Sequence, residues 1–318
     1  MKTERNDFDP KAYNPTFQWR FLAPKYWGTW LAVIIGLPIA LLPNGARYFI
    51  ARNIASILCK KQRGSVQKGR INLALCFPEK TEREREKILF DCLATAGTFL
   101  LGFATLSLRS KTWLERHSSI KGLEYLQKLQ AQQQSVILLV PHSWAIDIPA
   151  ILLASRGFPV SAMANSQKNP LTDWLMHKQR VQYGGRVYDR SGGIKPFIKS
   201  VKDGYLGYYL PDQDHGPEMS VFVDFFATEK ATLPGLGKLA KVSRAKIVPM
   251  FASYNVQTGF YEIEIKPPMA EFSGNDEQDA RAMNQVVEEF VISKPEQYMW
   301  ILKLLKTRRD GKDPYVGY

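Results

Sequence analysis

A histidine and an aspartate stand just beyond a short apolar segment. Residues 135–140 are almost wholly aliphatic, Pro141 follows, and His142 and Asp147 then form an H-x4-D arrangement. α/β proteins place their chemistry at the carboxyl ends of strands. A histidine oriented by an aspartate is two thirds of a serine-protease triad. The pair therefore predicts that a base removes a proton from a hydroxyl group.

The third member of such a triad is missing from the chain. The sequence contains no G-x-S-x-G elbow that would present a nucleophilic serine. We therefore expect a hydroxyl group of the substrate to act as the nucleophile. This arrangement predicts acyl transfer onto an alcohol.

The spacing of the pair restricts its geometry. On one continuous helix, residues five apart point roughly 140° away from each other and cannot touch. His142 must then lie before the helix and Asp147 in its first turn, where a carboxylate complements the helix dipole. Pro149 favours a helix that starts there. The alternative is a capping aspartate beside a loop histidine, without catalysis.

Two further polar segments could join this site. Asp212, Asp214 and His215 follow an apolar segment at 205–210, and a metal site is a weaker alternative for them because no second ligand cluster supports it. A Gly/Arg-rich segment contains Arg186 and Arg190 and opens a helix. It could bind phosphate through backbone N–H groups and guanidinium groups.

The elements around these segments alternate between strand and helix. This pattern predicts an α/β fold with a mainly parallel central sheet flanked by helices. The predicted strands are 135–140, 159–164, 186–188, 205–210, 246–253 and 259–266, the last two as a hairpin. One predicted helix is capped by Thr81 and Glu84 and continues into the apolar segment 93–108. The other predicted helices are 45–75, 121–134, 147–155, 170–181, 194–203, 233–242, 277–293 and 296–306.

An uncharged apolar segment precedes this core. Residues 26–42 are long enough for a short membrane helix, with Trp27 and Trp30 as interfacial anchors, although Pro38 weakens the prediction. A buried helix is the alternative. We expect residues 1–45 to form a lead-in and an N-terminal membrane anchor helix, and residues 46–318 to form the catalytic domain on the cytosolic side.

The composition limits the partners. The net charge is +13 and 45% of the residues are hydrophobic, so the chain should fold and attract anionic partners. An anionic membrane or an acidic protein fits, and the basic helix at 45–75 could lie on a membrane or pack on the core. No motif supports nucleic-acid binding. Cys59, Cys76 and Cys92 have no metal-like spacing and are predicted to be reduced thiols.

The motifs taken together resemble those of a known family. The order H-x4-D, Gly/Arg loop, strand-Pro-acid and Ile247-Val-Pro is similar to the four blocks of glycerolipid acyltransferases. The fuller segments 140–149, 192–199, 207–218, 224–228 and 297–307 resemble more closely the lipid A late acyltransferases of Gram-negative bacteria, and in particular their myristoyltransferase branch. This resemblance covers nearly the whole chain.

The resemblance implies an enzyme on the cytoplasmic face of the bacterial inner membrane. Its donor would be an acyl chain on acyl carrier protein, its acceptor a Kdo-bearing lipid A precursor, and it would need no cofactor or metal. His142 would be the general base and Asp147 would orient it. Arg186 or Arg190 would contact phosphate, and the loop with Asp212 and Asp214 would bind substrate, with Asp212 supporting His142. Glycerolipid enzymes carry Glu-Gly where this chain has Asp212-Gln213, which leaves the role of that block open.

Two other functions remain as alternatives. A cousin of the same fold could acylate glycerol phosphate or a glycolipid. A basic protein without catalytic activity could bind a membrane or nucleic acid. The sequence leaves four points open: the length of the acyl chain, the hydroxyl that is acylated, the oligomeric state, and whether residues 26–42 span the bilayer or only embed in it.

Overall fold

A seven-stranded sheet forms the centre of the computed structural model, which describes residues 9–317. The strands are β1 (Ser118–Lys121), β2 (Val136–Leu139), β3 (Val160–Ala164), β4 (Arg186–Asp189), β5 (Leu206–Tyr209), β6 (Val221–Phe225), β7 (Thr228–Thr232), β8 (Lys246–Tyr254) and β9 (Tyr261–Ile265). Their order across the sheet is β1-β9-β8-β2-β5-β3-β4, and β6 and β7 form a separate antiparallel hairpin.

Most of the sheet is parallel, as predicted. The strands β8, β2, β5, β3 and β4 all run in one direction. β9 returns antiparallel to β8, with Met250 paired with Ile265, and this confirms the predicted hairpin. All four residues of β2 are buried, which is typical of a parallel strand covered on both faces.

Helices pack around this sheet. They are α1 (Trp27–Ala40), α2 (Asn44–Leu58), α3 (Gly64–Cys76), α4 (Glu82–Leu101), α5 (Thr105–Leu108), α6 (Lys111–Arg116), α7 (Leu123–Ala131), α8 (Ile148–Ser155), α9 (Pro170–Arg180), α10 (Lys195–Lys202), α11 (Gly235–Ser243) and α12 (Asp276–Ser293). The predicted helices that alternate with the strands are confirmed in α8, α9, α10, α11 and α12, whose ends differ from the prediction by at most two residues.

The predicted start of α4 is also confirmed. The backbone N–H of Glu84 donates to the Thr81 hydroxyl at 3.3 Å, and the Glu84 carboxylate accepts from the Thr81 N–H at 2.7 Å. This reciprocal capping box satisfies two amides that the first helical turn cannot.

The single helix predicted at 45–75 is wrong. The chain leaves α2 after Leu58 and begins α3 at Gly64, which has a φ of +69°. A positive φ favours glycine and is incompatible with a continuous right-handed helix. α2 packs against α4, where a Cβ on Gly97 would come within 2.9 Å of the Ala51 Cβ.

The helix predicted at 296–306 is wrong as well. A short 3-10 turn at Pro295–Gln297 is followed by irregular chain. The Met299 N–H donates to the His142 carbonyl at 3.1 Å, and Tyr298 forms a β-bridge with Ser143. Tyr298 and Trp300 are fully buried, so tertiary pairing with the loop after β2 has replaced the local helical bonds.

An N-terminal apolar helix is present but short. α1 has fourteen residues and is therefore roughly 21 Å long, less than the ~30 Å of a bilayer's hydrocarbon core. Residues 26–42 are predicted as a membrane anchor that either spans the bilayer or only embeds in it, and a helix of this length is too short to span it alone. Of the predicted lead-in, residues 1–8 lie outside the described part of the chain. The Tyr13 N–H donates to the Val187 carbonyl at 2.7 Å, which ties the lead-in to β4.

Within residues 9–317, one helical stretch is long and apolar enough to cross a membrane, namely Glu82–Leu108. It includes α4, and 56% of its most apolar window is buried inside the protein. Its contacts with α2 and α3 explain the apolar face as core packing.

Candidate active site

The sheet brings His142 and Asp212 together. β2 and β5 are parallel neighbours, with Leu139 opposite Tyr209, and the Val140 N–H donates to the Tyr209 carbonyl at 2.9 Å. His142 and Asp212 each follow their paired residue by three positions. Because both strands run in the same direction, the two side chains emerge at the same end of the sheet.

Two hydrogen bonds join this pair. The His142 backbone N–H donates to one oxygen of Asp212 at 2.9 Å, and the imidazole Nδ1 is bonded to the other oxygen. Both residues are buried, with 7% and 2% of their surface exposed. A carboxylate can only accept, so Nδ1 carries the proton and the Nε2 lone pair remains available as a base.

The charge of Asp212 is maintained despite its burial. Burial alone would raise the pKa of this carboxyl group. His142, through its two hydrogen bonds and through its charge when the ring is protonated, and the charge of Lys230 lower the pKa below its usual value. Asp212 is therefore a carboxylate at neutral pH, the state that can orient an imidazole.

Asp147 has a different partner from the one predicted. It precedes the first residue of α8, and His142 lies before that helix, as expected. The Asp147 carboxylate, however, accepts from Arg180 Nε at 2.9 Å and from Arg180 Nη2 at 3.1 Å, at the end of α9. The imidazole Nδ1 is bonded to Asp212, so the predicted hydrogen bond between His142 and Asp147 is replaced by two separate pairs.

A groove of about 330 Å³ lies in front of these pairs. His142, Asp147, Arg180 and Gln213 line it, together with apolar residues from β3, α8 and the loop after β5. The apolar lining comprises Ile146, Ala150, Val160, Ala162, Met163, Ala164, Val181, Val187, Leu210 and Met299. A larger cavity of about 440 Å³ lies near the amino ends of β2 and β5 and contains no histidine. The acid–base pair therefore opens onto an apolar groove.

The two predicted arginines line the same groove in different environments. Arg190 donates to the Gln213 side chain at 2.8 Å. Arg186 stacks on the Tyr205 ring at 4.1 Å and lies 3.6 Å from the Asp203 carboxylate. The guanidinium group of Arg186 thus already has partners within the protein, Tyr205 and Asp203.

Asp214 is turned toward the C-terminal segment. Its carboxylate accepts from the Thr307 backbone N–H at 2.7 Å and from the Thr307 hydroxyl at 2.8 Å. It is not among the residues that line the groove, so the predicted contact with substrate has no support in its placement. Within the described residues, no group of three His, Cys, Asp or Glu side chains is arranged to hold a metal ion.

Comparison with known proteins identifies the family. The family described as bacterial lipid A biosynthesis acyltransferase matches residues 14–307. The chain belongs to this family. It is 46% identical over 317 residues to a lipid A biosynthesis myristoyltransferase of Escherichia coli, covering 99% of this chain and 97% of that protein. It is 45% identical over 304 residues to a lipid A biosynthesis acyltransferase of Haemophilus influenzae, covering 96% and 95%.

A more distant relative gives the breadth of the family. The chain is 30% identical over 299 residues to a lipid A biosynthesis lauroyltransferase of Escherichia coli, covering 93% of this chain and 97% of that protein. The family resemblance inferred from the motifs is confirmed. The chain is thus an acyltransferase of lipid A biosynthesis.

Sequence reasoning missed three residues of this candidate site. Arg180 holds Asp147, and the Tyr208 hydroxyl donates to the Ile146 carbonyl at 2.6 Å, bracing the loop after β2. Lys230 is fully buried, and its charge lowers the pKa of Asp212. Arg180 and Lys230 lie outside the family-like segments, and Tyr208 lies inside the segment 207–218 but was given no role. Contacts between residues far apart in the chain are what bring the three to attention.

Proposed function

We propose that this chain transfers a myristoyl group from acyl carrier protein to a hydroxyl group of a Kdo-bearing lipid A precursor. The observation that carries the proposal is the buried His142–Asp212 pair at the mouth of an apolar groove. The name of the 46% identical relative favours myristoyl over other acyl chains.

The chemistry needs only a base and an activated donor. His142 Nε2 takes the proton of the acceptor hydroxyl as its oxygen attacks the thioester carbonyl carbon. The tetrahedral intermediate then collapses, the carbon–sulfur bond breaks, and the imidazolium returns the proton to the leaving thiolate. Asp212 stabilises the imidazolium and keeps its orientation, as the aspartate does in a serine-protease triad.

The lining of the groove suits the two substrates. The apolar residues of β3 and α8 would hold the acyl chain, since their burial by a hydrocarbon is favourable. Arg190 keeps guanidinium donors beyond the one bonded to Gln213 and would contact a phosphate of the donor or the acceptor. Asp147 and Arg180 would hold α8 and α9 together at the groove wall.

We further propose that the protein attaches to the cytoplasmic face of the inner membrane through one face of α1. Trp27, Leu31, Ile34 and Ile35 are each more than half exposed. Their spacing places them on one side of the helix. Such a face favours insertion into the interface of the membrane.

A direct assay tests the reaction. Purified protein would be incubated with lauroyl, myristoyl or palmitoyl acyl carrier protein and with either a lipid A precursor or glycerol phosphate, and products measured by mass spectrometry. We expect myristoylation of the lipid A precursor. His142→Ala should lower the rate by about 10²–10⁴ with folding retained. His117→Ala is the matched control, because the His117 ring stacks on Trp113 and does not line the groove.

Two results would contradict the proposal. Normal turnover by His142→Ala would remove the general base from the mechanism. Transfer to glycerol phosphate alone would assign a different acceptor to the same site.

A further inference from the structure

Lys230 is a fully buried lysine whose ammonium group has no hydrogen-bond partner among the described residues. It lies on β7 with no exposed surface, and its Nζ makes no hydrogen bond to any described residue. No described carboxylate lies within ion-pair distance of it, and the ring of Phe225 is 5.7 Å away. Burial of an unpaired ammonium group is strongly unfavourable. Packing alone therefore does not explain why a lysine occupies this position.

Hydrogen bonds made by the C-terminal segment link β7, which carries Lys230, to the loop after β5. Asp214, two residues after Asp212, is bonded to Thr307, and the adjacent Arg308 donates to the Glu229 carbonyl at 2.7 Å. Lys230 follows Glu229 directly. The hairpin that carries the lysine is therefore fastened to the loop that carries Asp212.

The electrostatics agree with this position. Burial lowers the pKa of Lys230 below its usual value, and the charges of Asp212 and Asp214 oppose that effect in part. Conversely, the lysine charge contributes to the low pKa of Asp212. The other titratable groups around this interior region are His215, Tyr298, Arg308 and Glu288.

A second buried group without a hydrogen bond lies against the same carboxylate. The Tyr298 hydroxyl has no partner of normal hydrogen-bond geometry, and the residue is completely buried. Burial raises its pKa, and the Asp212 carboxylate raises it further, so this hydroxyl remains neutral beside Asp212. Asp212 thus has two buried neighbours, the His142 imidazole and the Tyr298 hydroxyl.

We propose that Lys230 is a positioning residue for acyl transfer, because its buried positive charge keeps Asp212 ionised and opposes protonation of the His142–Asp212 pair. This inference rests on the proposed function, since it requires that pair to act as the base. Lys230 does not line the groove and would act only through Asp212.

The test removes the charge and retains the shape. In Lys230→Met, we expect kcat at neutral pH to fall about tenfold. The acidic limb of the pH profile of kcat/KM should move up by about one pH unit, because protonation of the pair becomes easier without the lysine. KM should change little, since the groove is untouched. Tm should stay the same or rise, because an unpaired buried charge has been removed.

Two further variants sharpen the test. Lys238→Met removes an exposed lysine that pairs with Asp276 on the surface, and it should leave the pH profile and the rate unchanged. Lys230→Arg keeps the positive charge and should retain the wild-type acidic limb. Should Lys230→Met not fold, Lys230→Gln gives the same readout.

The outcomes separate the two proposals. A lower rate with an unmoved acidic limb would show a purely structural role for Lys230 and overturn the inference, and so would the loss of folding in both neutral variants. In either case the wild type would be active and His142→Ala inactive. If instead the wild type transferred no acyl chain, or His142→Ala remained active, the proposed function itself would fail.

Discussion

At the scale of single residues, the main finding is which of two aspartates is bonded to His142. Asp147 is five positions from His142 in the chain, whereas Asp212 is seventy positions away. The imidazole is bonded to Asp212 because β2 and β5 are parallel neighbours and end at the same level. Asp147 turns to Arg180 instead. Proximity in sequence therefore pointed to His142 and missed the carboxylate that is bonded to it.

Asp212→Asn should reduce catalysis far more than it changes the fold. An amide of the same shape cannot stabilise the imidazolium. It also allows the tautomer in which Nε2 carries the proton and cannot act as a base. We therefore expect kcat to fall by about 10²–10⁴. Steady-state kinetics with a thermal melt would measure both effects. Asp276→Asn, at an exposed carboxylate of α12, is the control. A stable Asp147→Asn variant with a larger loss of kcat than Asp212→Asn would reverse the assignment.

The pair of Asp147 and Arg180 should contribute to stability. The two side chains are 21% and 27% exposed and form two parallel hydrogen bonds, so solvent screens part of their attraction. A double-mutant cycle with Asp147→Asn and Arg180→Gln, followed by urea unfolding, should give a coupling of about 0.5–1.5 kcal/mol. The exposed pair of Lys87 and Asp91 should give no more than about 0.5 kcal/mol. Equal couplings for the two pairs would contradict this ranking.

At the scale of elements, the site depends on how closely β5 approaches its neighbours. Gly207 pairs with Ile137 on β2 and faces α10. A Cβ at this position would lie 2.8 Å from the Val201 side chain and 3.0 Å from the Phe197 ring. Glycine in a strand marks such close approaches. The distance between β5 and α10 is thus set by the absence of one side chain.

Gly207→Ala should therefore destabilise the protein by about 1–3 kcal/mol, because the extra methyl group overpacks a dense core. Urea unfolding would measure the loss. Gly192→Ala is the matched control, since a Cβ there meets nothing within 4 Å and its φ is not positive. An unchanged free energy of unfolding for Gly207→Ala would show that α10 moves away without cost.

At the scale of the whole molecule, charge and apolar surface favour a membrane-bound enzyme with a surface anchor. The net charge is +13, and the exposed apolar face of α1 contains Trp27, Leu31, Ile34 and Ile35. A helix of fourteen residues can lie in an interface but is too short to cross the hydrocarbon core unaided.

The double variant Leu31→Glu, Ile34→Glu should bind vesicles containing anionic phospholipid at least about tenfold more weakly, because each buried aliphatic side chain contributes about 1.5–3 kcal/mol. Flotation of purified protein with such vesicles would measure the bound fraction. Ile292→Glu, at an exposed position of α12, is the control. Binding unchanged in the double variant would exclude this face of α1 as the attachment site.

The sequence by itself determined the parts that depend on local patterns. Alternating strands and helices, the capping box of α4 and the family motifs follow from the order of residues over short distances, and they identified the parallel sheet, His142 and the lipid A acyltransferase family. It failed where local preference was overruled, as in the segment 298–306, where pairing with the loop after β2 replaced a helix.

Only the tertiary structure decided which groups act together. The partner of His142, the bond between Asp147 and Arg180 and the burial of Lys230 all join residues far apart in the chain. These contacts depend on strand order and helix packing, and a single chain carries no local signal for either. Hydrogen bonds and charges at an active site act through space, so their partners appear only once the sheet has formed.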